Sequence, residues 1–177
     1  MVYRCDDSVR FVVQLSPETA WVHVDGKVFE LARVPAASGS RYRGAGAGYW
    51  TKGPAALLSL PDREVTGCVA RPQEAPWEEA RLRGVEFRAF GHRPEWALEL
   101  GEKKSRFVEV AGNLSLVLPP LSTTTSRPQV GVAAGHRLVL EIEPQRCVDG
   151  MTGEVFPNRV ELILDGRRYA GCGRPLR

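Results

Sequence analysis

No run of about 18 apolar residues occurs in the chain, so no transmembrane helix is expected. No cluster of Lys and Arg occurs either. The formal charge of +3 is spread along the sequence, unlike the basic stripe of a nucleic-acid binder, and no nucleic-acid partner is expected. The chain lacks C-x-x-C, and Cys5, Cys68, Cys147 and Cys172 fit no zinc spacing. The histidines, His23, His92 and His136, are scattered without metal-ligand spacing and read as surface or partly buried side chains. No metal and no cofactor is expected. The stretch "RGAGAG" (Arg43–Gly48) is not followed by G-K-[ST] and contains no G-x-G-x-x-G. It is therefore no phosphate loop and reads as a mobile hairpin loop. There is no G-x-S-x-G, hence no nucleophile elbow. Glu78 and Glu79 are adjacent and do not face each other on a helix. Nothing in these residues argues for an enzyme.

The chain enters "MVYRCDD" at once, without the basic, apolar and small-residue regions of a signal peptide. Two settings follow: a cytosolic protein, or an exported one whose targeting segment is absent from this chain. The cysteines favour the second. Four cysteines allow three pairings, and the alternative is four buried thiols. Two cysteines lie in the first 70 residues and two near the C-terminus. Each pair closes an apparent unit, so Cys5–Cys68 and Cys147–Cys172 are the expected bonds. Chain entropy assigns about 4 kcal/mol to the longer loop and about 3 kcal/mol to the shorter. Such bonds persist in an oxidising compartment.

The 177 residues suit one large domain or two small ones. "RFVVQLS" (Arg10–Ser16), "TAWVHV" (Thr19–Val24), "KVFELARV" (Lys27–Val34) and "AALLSL" (Ala55–Leu60) are rich in β-branched and aromatic residues with partial alternation. They read as strands. Asp25-Gly26 marks a two-residue hairpin turn. No helical period appears before Pro72, so residues 1–71 form an antiparallel β unit, a small barrel or closed sandwich. Residues 72–75 read as a linker. "PWEEARLR" (Pro76–Arg83) reads as a short helix, with Pro first, acids early, arginines late and a glycine after. Strands then resume in "VEFRAF", "WALELG", "RFVEVAG", "LSLVLP", "HRLVLEIEP" and "RVELILDGRRYAG". "PPLSTTTSRPQ" (Pro119–Gln129) is a loop by composition. Residues 76–177 are thus a second mostly-β domain with a short helix, and the fold class is all-β.

Four stretches carry a resemblance. "YRCDDSVRFVVQL", "SGSRY" (Ser38–Tyr42), "YWTKGPAALLSL" (Tyr49–Leu60) and the closing Cys68 occur in that order. Together they resemble the membrane-bound lysozyme inhibitors of c-type lysozyme, a bacterial family. That family reads Y-x-C, S-G-x-x-Y, W-x-K-G with A-x-L, and a final cysteine. Asp7-Ser8 departs from the glycine often found after the first cysteine. The resemblance implies an eight-stranded antiparallel β-barrel that inserts its S-G-x-x-Y loop into the lysozyme cleft. It implies c-type lysozyme as partner and a place in the periplasm or attached to the outer membrane. It also leaves open a lipid anchor in a full-length precursor.

The residue types suit that task. Lysozyme works with two carboxylates, one kept protonated by an apolar pocket and one ionised. A plug that excludes water must satisfy both. By resemblance, Ser38 donates to one carboxylate and accepts from the other, while Lys52 neutralises the ionised one. Gly39 permits close backbone approach, and Tyr42 and Thr51 frame the loop.

The second half resembles an uncharacterised family of bacterial envelope proteins. The resemblance rests on "RGVEFRAFGHRPEW", "CVDGMTGEVFP" and "YAGCG", and it implies no activity. "CVDGMTGE" lacks the alternate ligands of an EF-hand. Phe87 and Trp96 read as core. Two other functions compete with inhibition. One is glycan binding, with Tyr49, Trp50 and Trp96 as stacking platforms. The other is an envelope enzyme with its site in the second domain.

Overall fold

The computed structural model describes residues 1–123 and 127–176. Part of the predicted loop at Pro119–Gln129, residues 124–126, lies outside the described residues. The chain divides into two compact units, Met1–Glu78 and Glu79–Arg177.

Unit one contains β1 (Val2–Arg4), β2 (Arg10–Leu15), β3 (Thr19–Val24), β4 (Lys27–Val34), β5 (Ser40–Gly44), β6 (Ala47–Lys52), β7 (Ala55–Ser59) and β8 (Glu64–Ala70). Each strand pairs antiparallel with the next, and β1 closes on β8 through Tyr3↔Ala70 and Arg4↔Val69. The result is the closed eight-stranded barrel that the motifs implied. Closure removes the exposed edges that an open sheet would present. Alternation fills the interior: Ala20, Val22 and Val24 point inward from β3, to meet Phe11, Leu31, Leu58 and Val65.

Asp25 and Gly26 have φ of 48° and 73°, the mirror-image turn that matches strand twist. "RGAGAG" is tighter than a loop. Gly44 pairs with Ala47, and only Ala45 and Gly46 lie outside the ladder. The strands β1, β5, β6 and β8 went unread in the sequence, because they are short or interrupted by glycine and charge.

Residues 72–75 hold a 3-10 turn (Pro72–Glu74) that runs straight into α1 (Ala75–Leu82). Glu74 accepts from Arg4 Nε at 2.8 Å and from Arg10 Nε at 3.2 Å, and Arg10 Nη2 lies 2.7 Å from Glu78 Oε1. These contacts bind the turn to β1 and β2. Cys5 and Cys68 are bonded across 63 residues of chain.

Unit two is an eight-stranded antiparallel sheet. Its strands are β9 (Val85–His92), β10 (Glu95–Gly101), β11 (Ser105–Glu109), β12 (Leu114–Leu118), β13 (Gln129–Ala133), β14 (His136–Glu143), β17 (Asn158–Leu164) and β18 (Arg167–Pro175). Their order is β12-β11-β10-β9-β18-β17-β14-β13. A small ladder pairs β15 (Cys147–Val148) with β16 (Val155–Phe156). Phe87, Trp96, Leu98, Phe107, Leu138, Leu140, Leu162 and Tyr169 fill the core, and Cys147 is bonded to Cys172. Both disulfides are those expected from the cysteine positions.

Glu74 supplies a pH test. Burial works against its charge, but the hydrogen bonds from Arg4 and Arg10 prevail, and its carboxyl ionises below the ordinary glutamate range. Its contribution is therefore full above the unfolded-state value and lost as pH falls through the lowered folded-state value. Glu74→Gln should cost about 0.5–1 kcal/mol at neutral pH, since the pairs are partly solvated. Urea unfolding of both proteins across the acid range checks this: the two stability curves should converge at low pH.

Candidate functional site

The candidate site is one end of the β5–β6 ladder. Its support begins inside the barrel. Tyr3 stacks on Phe11 with ring centroids 4.9 Å apart, and Tyr42 stacks on Tyr49 at 5.9 Å. Four large rings fill this interior, but three carry hydroxyls that must find partners once buried. Tyr3 and Tyr49 share a hydrogen bond of 2.8 Å, and the Tyr3 hydroxyl lies 3.3 Å from Thr51 Oγ1. Thr51 Oγ1 in turn donates to the Ala55 carbonyl at 3.2 Å. Burial, reinforced by Tyr3, pushes the Tyr49 hydroxyl pKa up, so it stays a neutral donor.

This network fixes the last residues of β6, and β6 fixes the loop before β5. Ser40 pairs with Thr51. Gly39, at φ +69°, lies so close to β6 that an added Cβ would overlap the Thr51 carbonyl oxygen and come 3.2 Å from Trp50 Nε1. Trp50 Nε1 donates to the Ser38 carbonyl at 2.9 Å. The loop is therefore held through its backbone, which leaves the Ser38 side chain exposed and without a partner among the described residues.

Lys52 ends the same ladder. It pairs with Ala55 across the Gly53-Pro54 turn, and Ala70 N–H donates to the Pro54 carbonyl at 2.8 Å. Cys68, opposite Ala56, adds a covalent tie beside this turn. The Lys52 ammonium is exposed and has no ion pair or hydrogen bond among the described residues. Arg41, Arg43 and Trp50 line a shallow concavity of about 400 Å³ on the outside of the same strands.

The five predicted residues thus divide. Ser38, Gly39 and Lys52 reach the surface. Tyr42 is 4% exposed and acts from inside, and Thr51 is half-buried with its hydroxyl in the tyrosine network. Sequence reasoning missed Tyr3 and Trp50 as supports. Both belong to the motifs, but only the fold shows that Tyr3 reaches Thr51 and that Trp50 reaches the Ser38 carbonyl. Trp50 is exposed, whereas Tyr49 and Trp96 are each 1% exposed and sit in the cores of different units. The three aromatics form no common glycan platform. In unit two the buried carboxylates Glu109 and Asp149 are each occupied, Glu109 by Arg167 and Tyr169, Asp149 by His92 and Thr152.

Residues 3–66 match the family model of the membrane-bound lysozyme-inhibitor of c-type lysozyme. That is a family of inhibitors, not of enzymes. The match runs from β1 into β8 and stays within unit one. No curated protein and no solved structure matches the chain.

The backbone clamp can be tested with two glycines. Gly39→Ala places a Cβ on the Thr51 carbonyl and must displace the loop. Gly53→Ala, at φ +58°, meets nothing within 4 Å. The second should cost only the left-handed strain, about 1–2 kcal/mol. The first should cost more and weaken lysozyme inhibition, read by denaturant unfolding and a lysis assay on the same preparations.

Proposed function

We propose that the protein inhibits c-type lysozyme by seating Ser38 and Lys52 against the two catalytic carboxylates. The observation that carries this reading is a pair of uncommitted polar groups on a rigid frame. The Ser38 hydroxyl and the Lys52 ammonium lack partners among the described residues, while the backbone around them is anchored by Trp50, Thr51 and the Cys5–Cys68 bond.

The chemistry of the target makes this economical. A cleft that cleaves glycosides keeps one carboxyl protonated and one ionised. A hydroxyl can accept from the first and donate to the second. An ammonium placed beside the ionised group supplies the charge that water supplied before the cleft was filled. Rigid presentation lowers the ordering cost of binding. With both acids engaged and water excluded, neither can serve as acid, base or nucleophile. A place in the cell envelope follows from the target, which acts on peptidoglycan. The finer assignment is the periplasm or the outer-membrane surface, with a lipid anchor on a longer precursor.

Inhibition constants measured with hen-type lysozyme test the reading. Ser38→Ala should weaken inhibition about 5- to 150-fold, because a carboxyl loses its partner in a dry site. Lys52→Ala should cost about 2–5 kcal/mol, since the ionised acid is left uncompensated. The double substitution should lose less than the sum, as both residues serve one site. Lys27→Ala, at the far hairpin, should change little. Full potency in both single variants would sink the plug.

A further inference from the structure

We propose that unit two carries a docking site for anionic lipid surfaces, in which a cationic cleft takes phosphate headgroups and an apolar rim enters the bilayer interface. The cleft has a volume of about 700 Å³ and lies over the end of β9 and the middle of β18, beside the segment from Gln145 to Met151. The Cys147–Cys172 bond pins that segment to β18.

The electrostatics are one-sided. Arg93, Arg146 and Arg159 line the cleft, with a single carboxylate, Asp149. All three arginines are exposed. Arg159 pairs with Glu161, while Arg93 and Arg146 have no ion pair among the described residues. Asp149 is 4% exposed and fully committed. It accepts from Thr152 Oγ1 at 2.6 Å, Thr152 N–H at 3.1 Å, Met151 N–H at 3.3 Å and His92 Nε2 at 2.9 Å. Burial opposes its charge, but these donors outweigh it and hold its carboxyl below the ordinary range. Other acids nearby are Glu95 opposite His92, Glu143 opposite Arg159, and Glu154, which binds Arg174. None of these lines the cleft. An incoming phosphate therefore meets uncommitted guanidinium groups, which bind oxyanions in a planar fork.

The rim carries the second half of the argument. Val148 is 52% exposed, Val155 49% and Met151 73%. Val148 and Val155 are cross-strand partners in the β15–β16 ladder, and Met151 sits in the loop between them. Asp149 shapes this loop, because its carboxylate takes the N–H groups of Met151 and Thr152, and its carbonyl takes Gly153 N–H at 2.8 Å. Three apolar side chains are thus held out toward solvent on a fixed turn beside a cationic cleft. A small soluble anion would use the arginines and leave the rim idle. A headgroup with acyl chains behind it uses both, by burial of apolar area together with charge attraction.

The test uses the intact chain and vesicle flotation. Vesicles of phosphatidylglycerol mixed with phosphatidylcholine should bind it, pure phosphatidylcholine should bind it weakly, and binding should fall as salt rises. Arg93→Gln and Arg146→Gln should each weaken binding about fivefold. Met151→Gln should weaken it without changing the charge of the cleft. Arg41→Gln with Arg43→Gln, on the barrel, removes twice the charge of either single variant and should leave binding nearly unchanged. Lysozyme inhibition should be unaffected by the unit-two substitutions. Equal loss in the barrel variant would show generic attraction to a basic protein and overturn the proposal. Competition by glycerol 1-phosphate, with no effect of Met151→Gln, would also overturn it in favour of a soluble-oxyanion pocket. So would binding to an acidic polysaccharide but to neither vesicle.

Discussion

The barrel depends on how two buried tyrosines, Tyr3 and Tyr49, dispose of their hydroxyls. Eight short strands enclose little volume, and rings at positions 3, 11, 42 and 49 fill it efficiently. Rings bring polar atoms with them, and a hydroxyl buried without a partner costs about 1–3 kcal/mol. Tyr3 and Tyr49 answer each other, and Tyr3 extends the chain to Thr51 and through it to Ala55. The packing solution is thereby also a positioning device. The residue that ends the network, Thr51, is neighbour to Lys52 and backbone partner of Ser40. A requirement of the interior sets the geometry of the rim.

The rim follows the same economy. The loop at Ser38 and Gly39 is held by backbone contacts alone: a carbonyl taken by Trp50, and a glycine where no Cβ fits. Side chains are left free where a partner would need them. Unit two shows the complementary pattern around Asp149. There a buried carboxylate is saturated by hydrogen-bond donors, and its role is to shape a turn while Arg93 and Arg146 beside it have no ion pair among the described residues. In both units the groups that hold the structure are distinct from the groups left open to solvent.

Much was legible in the sequence, for particular reasons. Long strands with clean alternation, such as Leu138, Leu140 and Ile142, have one wet and one dry face, and that asymmetry is written residue by residue. Asp25-Gly26 announced a turn because few residue pairs adopt positive φ twice. The cysteines announced their pairing because each couple lies within one unit, Cys5 and Cys68 near the two ends of the first and Cys147 and Cys172 near the end of the second. The motif residues Ser38, Gly39, Tyr42, Thr51 and Lys52 could be named, since their order and spacing carry a family resemblance that the match over residues 3–66 supports.

The remainder needed the fold. Strand β8, with "EVTGCVA", has no dominant period, and it becomes a strand only because β1 and β7 offer it hydrogen bonds on both sides. The Ala45-Gly46 turn looked like a loop because alanine at positive φ is disfavoured in isolation, and ladder pairing outweighs that cost. Trp50 and Tyr49 are adjacent in sequence and equally aromatic, yet strand alternation sends one to solvent and the other to the core. Arg93, Arg146 and Arg159 are far apart in the chain, and the segment from Gln145 to Met151 and a disulfide bring them to one cleft. Composition and local pattern thus determined the β class and the two disulfides. Which side chains meet, which are buried and which remain uncommitted was decided by barrel closure and sheet register, because those depend on partners that lie tens of residues away.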